Sequence, residues 1–415
     1  MSTPIVNTGR ESRPERAQEH LVFLDQCRGV AILLVFLNHC TADFTGVPEF
    51  WKLFPLRYIT QVVNGGFSSP ALPEFLGLSP FRIGWPAVAI FFVVSGFCIH
   101  LSSCRASTPS LTAFYIRRFF RIYPAYLVAL LFFATAFPGS SLPFTKLSHW
   151  AILISHLFHF HNFFEISISA INPVYWTIAI EVQIYLLYPV FIRFARRFSF
   201  ARLLLVLGMI ELSLHTFSIA YFYTTGRFAP IWLRASPFFY CFSWTLGAAL
   251  ANDYLTGKKP AIAKIFPFIW LVLALLSSMV CSVAHEFSFT FFALATASII
   301  ARHLNRGATR ERKSAIGWFI ERAGVYSYSI YLIHYPIMVA LMGLYESWFP
   351  EIKRQVFLSF GVAITTSLVI LPFSVLMYYS LEKPGIALGK RIVRAWSMRK
   401  AGQLAFAPAQ PLEAK

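Results

Sequence analysis

Ten stretches of roughly 16–25 mostly apolar residues, each closed by a polar, Gly/Pro-rich or basic segment, leave this chain few ways to fold. A segment that long and that apolar is of the size that crosses a bilayer as a helix. Inside hydrocarbon it must satisfy its own backbone N–H and C=O groups, which restricts it to α-helix or a closed barrel. The stretches are 22–40, 84–103, 122–138, 174–192, 203–223, 236–251, 265–284, 287–302, 325–345 and 356–380. Their length argues for helices, because barrel strands are about half as long. Hydrophobic residues make up 57% of the 415, and only 13% are charged, which is more apolar material than a soluble core uses. The expected fold is therefore an all-α integral membrane protein with about ten transmembrane helices.

The formal net charge of +18 would suit a nucleic-acid binder, but its distribution points elsewhere. With a cytoplasmic N-terminus, the inward segments carry 27 of the 36 Lys and Arg and the outward segments carry eight; Arg28 lies inside the first stretch. That asymmetry is the positive-inside pattern, which places both termini in the cytoplasm and makes the basic balance a matter of topology. No nucleic-acid partner is expected. The division is a polar N-terminal tail over 1–20, a transmembrane domain over 21–388 and a basic C-terminal tail over 389–415. The first 20 residues carry Arg10, Arg13 and Arg16 and do not read as a signal peptide. Residues 148–164 are apolar but short, and a full span there would turn the basic 193–202 segment outward, so they are expected to lie at the outer interface or re-enter. The six cysteines show neither C-x-x-C pairing nor zinc spacing and read as free thiols.

A charged side chain inside a membrane costs roughly 2.5–3.5 kcal/mol or more, so each one needs a reason. Arg28 and His39 are eleven residues apart, which puts them on one helix face about 16 Å apart along the axis. A neutral imidazole can take a proton from a hydroxyl nucleophile, although a membrane histidine also serves as a plain helix-to-helix hydrogen-bonding group. Arg28 has Asp25 as a partner at i,i−3 spacing. At the cytoplasmic boundary, Arg117, Arg118 and Arg121 stand in FYIRRFFRIYP. The i,i+3 pair Arg118 and Arg121 can direct both guanidinium forks at one phosphate, or the arginines can snorkel to the headgroups. Ser95 and Gly96 sit at mid-membrane, where Gly96 either makes room for a ligand chain or lets two helices approach. Glu181 is a carboxylate about two turns inside its span, and contact with His39 would orient the imidazole as the carboxylate does in hydrolytic triads. His334, among Tyr328, Tyr331 and Tyr335, belongs either to that site or to a structural network. Glu382 closes the last span, where a basic group at the inner surface would pair with it. His149, His156, His159 and His161 lack a Cys or Asp to complete a metal set, so no metal site is expected.

These stretches together resemble the acyltransferase-3 family of bacterial membrane O-acyltransferases, over about residues 20–388. The resemblance rests on R-x10-H (Arg28, His39), FFxxSGF (Phe91–Phe97), RRxxRxxP (Arg117–Pro124), W-(S/T)-x-x-x-E (Trp176–Glu181), YSxYLxH (Tyr328–His334) and E-x-P (Glu382–Pro384). Thr177 replaces the usual serine and keeps the hydroxyl. The resemblance implies the stand-alone type, without a periplasmic hydrolase-like domain, in the bacterial inner membrane. It also implies transfer of an acyl group, often acetyl, from cytoplasmic acyl-CoA to a hydroxyl on a cell-surface or secreted glycan or a lipid-linked glycan. No cofactor is expected to be held permanently, since acetyl-CoA or another acyl-CoA is the donor.

On that reading Arg118 and Arg121, with Arg117, hold the CoA phosphates and Arg28 acts near the channel mouth. The pantetheine arm passes Ser95 and Gly96, while His39, oriented by Glu181, deprotonates the acceptor. His334, Tyr331 and Trp176 are secondary candidates. Direct attack on acyl-CoA needs fewer intermediates than an acyl-His39 route. Acceptor contacts are expected from the outer segments 41–83 and 139–173. The principal rival is a proton-coupled transporter or flippase, which also uses buried Arg, His and Glu, but no inverted hydropathy repeat is visible. A small hydrophobic acceptor such as a macrolide is a further alternative.

Overall fold

The computed structural model describes residues 13–44, 84–106, 110–280, 285–306, 314–349 and 356–405. Among them there are helices and turns and no strand. In chain order the helices used below are α1 (Arg13–Phe44), α2 (Val88–Cys104), α3 (Leu111–Thr135), α4 (Leu147–Leu157), α5 (Trp176–Phe198), α6 (Phe200–Thr225) and α7 (Cys241–Thr256). They continue with α8 (Pro267–Val280), α9 (His285–Arg306), α10 (Ala315–Val325), α11 (Ser327–Trp348), α12 (Val356–Met377) and α13 (Lys383–Ala405).

Seven described helical segments are long and apolar enough to cross a membrane: Val22–Cys40, Leu111–Thr135, Trp176–Phe198, Phe200–Thr225, Glu286–Arg306, Ser327–Trp348 and Gly361–Arg399. The sequence pattern suggested ten. The difference lies in α2, α7 and α8, described as helices of 17, 16 and 14 residues. The 236–251 stretch takes in the 3-10 turn at Pro237–Phe239, after which α7 starts at Cys241 and runs on to Gly257, whose φ of +69° closes it in the left-handed conformation that glycine adopts without strain. The 11-residue α4 is too short to span, in keeping with its expected place off the transmembrane set. Beyond residue 388 the basic segment continues in α13, so most of the anticipated C-terminal tail is helix.

Large apolar side chains stand exposed along the outside of these helices, among them Leu186 and Val190 on α5, Leu205, Met209 and Leu212 on α6, and Leu368, Phe373 and Leu376 on α12. An apolar exterior of that extent, over a core that holds buried Glu211, His215, Glu286, His334 and Glu382, is the inside-out arrangement of a membrane bundle.

Backbone-to-backbone crossings fix the central helices. A Cβ placed on Gly96 would run into the Trp244 carbonyl, and one on Gly247 into the Val93 carbonyl, so α2 and α7 cross where neither has a side chain. The same device joins α1 to α10, with Gly29 against Ile320 and Gly324 against Asp25. Overpacking costs about 1–3 kcal/mol where neighbours can shift, and here the neighbours are backbone. Gly96→Leu and Gly247→Leu are therefore expected to lower the thermal midpoint of the detergent-purified protein, with Gly343→Leu, in open space, unaffected.

Prolines inside helices free carbonyls that neighbouring elements must satisfy. Pro336 leaves the Leu332 carbonyl of α11 without its helical donor. Asn172 Nδ2 and the Tyr175 hydroxyl donate to it at 3.0 and 3.1 Å. Between α12 and α13, residues Tyr378–Glu382 form a widened π-helical turn that brings Glu382 to full burial.

Candidate active site

Five helices line a cavity that mixes apolar and charged side chains. Arg28 comes from α1, residues Val88 to Ile99 from α2, Arg118, Arg121 and Ile122 from α3, Thr177, Ile178, Glu181 and Tyr185 from α5, and Ser327, Tyr328 and Tyr331 from α11. The cavity follows α2 from Val88 to Ile99, about 16 Å at 1.5 Å per residue. Helical periodicity explains the pattern, since Val88, Phe91, Phe92, Ser95, Cys98 and Ile99 recur every three or four positions on one face.

Arginines crowd one end. Arg28 bonds Asp25 at 2.7 Å, the pairing expected from their spacing, and its second Nη donates to Cys98 Sγ at 3.4 Å. Arg121 forms an ion pair with the fully buried Glu382, whose other oxygen accepts from Ser329 Oγ at 3.0 Å. Arg118 differs from both. It lines the cavity without an ion pair among the described residues, and its Nε is buried with no hydrogen-bond partner. A guanidinium in that condition is a site for an anion, because an arriving phosphate or carboxylate replaces the water it lost. Arg117, one position along the helix, does not line the cavity.

The middle of the cavity is held by Ser95. Its hydroxyl donates to Glu181 at 2.5 Å, lies 3.2 Å from the Tyr185 hydroxyl and accepts from Trp244 Nε1 at 3.3 Å. Tyr185 also donates to Glu181. The carboxylate's hydrogen bonds are therefore taken up by hydroxyls, and none goes to His39, the expected partner. Gly96 faces α7 and not the cavity, so of its two anticipated uses the structure shows helix packing.

Beyond Glu181, Thr177 meets the Tyr331 hydroxyl at 2.6 Å, and Tyr331 reaches the Val174 carbonyl at 3.1 Å. One turn further along α11 stands His334, its ring 5.5 Å from that of Tyr331. The His39 ring is 5.4 Å from His334 and 5.1 Å, edge-on, from Tyr335. Arg28 is thus on the cavity wall, whereas His39 lies outside the lining in a ring cluster with His334, which neighbours the cavity-lining Tyr331. Trp176 packs its ring at 5.7 Å from Tyr240, away from the cavity lining.

Sequence reasoning missed Cys98, Tyr185 and Trp244. Tyr185 was accessible as the i+4 neighbour of Glu181, and Cys98 as the i+3 neighbour of Ser95. Trp244 meets Ser95 across 149 positions and left no local trace. His156 and His161 stack at 3.9 Å with nearly parallel rings, and among the described residues no group of three potential ligands is arranged to hold a metal. Most of the outer segment 41–83 lies outside the described residues, as does Cys281.

A helical bundle with a lipid-type exterior, a guanidinium-lined cavity and a histidine pair beside it is a membrane protein with polar groups inside its bundle. The chain belongs to the acyltransferase-3 family, whose model, described as an acyltransferase domain, matches residues 21–379. Acyltransferase MdmB of Streptomyces mycarofaciens is 25% identical over 284 residues, covering 62% of this chain and 68% of its own length. Nodulation protein 10 of Rhizobium leguminosarum bv. viciae is 24% identical over 299 residues, 64% of this chain and 76% of that protein. An uncharacterized protein of Haemophilus influenzae is 33% identical over 135 residues, 29% of this chain; the match spans 55% of that relative's length. No solved structure matches the chain.

Proposed function

We propose that this acyltransferase moves an acyl group, acetyl in the first instance, from cytoplasmic acyl-CoA to a hydroxyl of a cell-surface or secreted glycan at the bacterial inner membrane. The single observation that carries the donor is Arg118, on the cavity wall with Arg28 and Arg121, with no ion pair among the described residues and its buried Nε without a partner there. A CoA phosphate supplies the missing counter-charge, and the arm then follows the α2 face past Cys98 and Ser95 toward Tyr331. His39 lies beyond and takes the proton of the acceptor hydroxyl as its oxygen attacks the thioester carbonyl. The C–S bond breaks, and the CoA thiolate recovers the proton from His39. The positive-inside pattern supports a cytoplasmic donor side. The aromatic residues of the outer segments suit sugar rings.

Charge-assisted hydrogen bonds contribute about 1.5–3 kcal/mol each, so Arg118→Gln is expected to raise the CoA dissociation constant by about 10–100-fold in calorimetry of the purified protein. A wild-type protein that does not bind CoA would remove the donor assignment. The acceptor is tested by the O-acetyl content of surface and secreted polysaccharides from a deletion strain with and without the restored wild-type gene. Unchanged ester content would exclude those glycans.

A further inference from the structure

His334 is completely buried, and its Nδ1 lies 3.0 Å from the Tyr331 carbonyl and 3.2 Å from the Ile330 carbonyl. Carbonyl oxygens only accept, so Nδ1 carries the hydrogen and donates it. Burial in an apolar bundle favours the neutral ring, and a neutral ring protonated at Nδ1 has a bare lone pair on Nε2. That Nε2 is buried and has no hydrogen-bond partner among the described residues. The ring it belongs to stands 5.4 Å from the ring of His39, inclined at 42°. An acceptor of fixed tautomer is thus held beside an imidazole that has to present one lone pair to a substrate.

We propose that His334 is the positioning residue of His39, its bare Nε2 accepting the His39 N–H so that the other His39 nitrogen faces the acceptor hydroxyl. The proposal rests on the acyl-transfer reading above and assigns to His334 the part that the sequence suggested for Glu181, which is engaged by Ser95 and Tyr185. In hydrolytic triads a carboxylate holds the catalytic imidazole in one tautomer and stabilises its cation. A neutral imidazole acceptor provides the orientation and weaker stabilisation of the cation, without a second buried charge. During the reaction the hydroxyl proton passes to the other ring nitrogen of His39, the new C–O bond forms, the thioester C–S bond breaks and the thiolate takes that proton. His334 keeps its own proton throughout.

The geometry of α11 supports the assignment. The Leu332 carbonyl freed by Pro336 is anchored to Asn172 and Tyr175, and Tyr331 is anchored to Thr177 and Val174. The turn that leads into His334 is therefore fixed at Tyr331 and Leu332. A site that must hold a tautomer needs such outer support.

The test compares His334→Gln with His334→Met, side chains of similar length of which only Gln offers a strong acceptor. Membranes carrying wild type or either variant at equal protein level are supplied with [14C]acetyl-CoA, and ester formation on endogenous acceptors is followed. His334→Met is expected to lower kcat about 100-fold or more with the KM for acetyl-CoA within a few-fold, and His334→Gln to stay within about 10-fold of wild type. Full activity in His334→Met overturns the proposal. So does a loss in His334→Gln as deep as that in His334→Met while both purified variants still bind CoA as wild type does. An inactive wild type instead overturns the acyl-CoA reading and the proposal with it, which separates the two failures.

Discussion

His39→Ala is expected to abolish measurable ester formation from acetyl-CoA while leaving CoA binding unchanged. General-base catalysis contributes about 10²–10⁴-fold, and an alanine at this position leaves neither a base nor a ring to orient the acceptor. The donor half of the cavity should be untouched, because His39 is not among its lining residues and the arginines are held by Asp25, Glu382 and their own helices. Paired measurements of kcat and of the CoA dissociation constant check this separation. A variant that loses CoA binding along with turnover would mean that His39 supports the cavity and does not act in the chemistry. Retained turnover would remove it from the reaction altogether.

Glu382→Ala is expected to have the largest effect on stability. Glu382 is fully buried, pairs with Arg121 and accepts from Ser329, so its removal leaves a half-buried guanidinium on the cavity wall without its carboxylate. Deleting one partner of a fully buried pair costs about 3–5 kcal/mol; with 35% of the Arg121 side chain exposed, a smaller but clear fall in the thermal midpoint in detergent is expected. Replacing both partners with apolar groups is often neutral, so Arg121→Met combined with Glu382→Met is expected to recover much of the midpoint. CoA affinity should stay reduced in the double variant, since Arg121 lines the donor end. Recovery of both properties together would show that Arg121 serves only the fold.

Local spacing made several of these features readable in advance. Asp25 and Arg28 are one helical turn apart, and their bond forms at 2.7 Å. Arg118 and Arg121 share a face by i,i+3 spacing, and both line the cavity. What spacing could not reveal was which helices touch. Glu181 has the depth and chemistry of a partner for His39, yet hydroxyls from α2 and its own helix take its hydrogen bonds. Gly96 could not be assigned without knowing that Gly247 faces it from α7. All ten apolar stretches fall on helices, seven of them long and apolar enough to cross a membrane by themselves among the described residues. The family, by contrast, was legible from six short motifs in order, each of them weak alone.

The crossing at Gly96 and Gly247 has a consequence for what the cavity can accept. With backbone pressed on backbone, α2 has no side chain at that point that could yield and let it slide along its own axis. Its inner face therefore behaves as a ruler of constant length, running from the arginine end to Val88. For a donor anchored by its phosphates at Arg118, the depth reached by the thioester is set by the donor's arm and not by any adjustment of the wall. Truncated thioesters such as acetylpantetheine lack the anchoring phosphates of CoA, and should be delivered to the histidines without register and turned over poorly even at saturation.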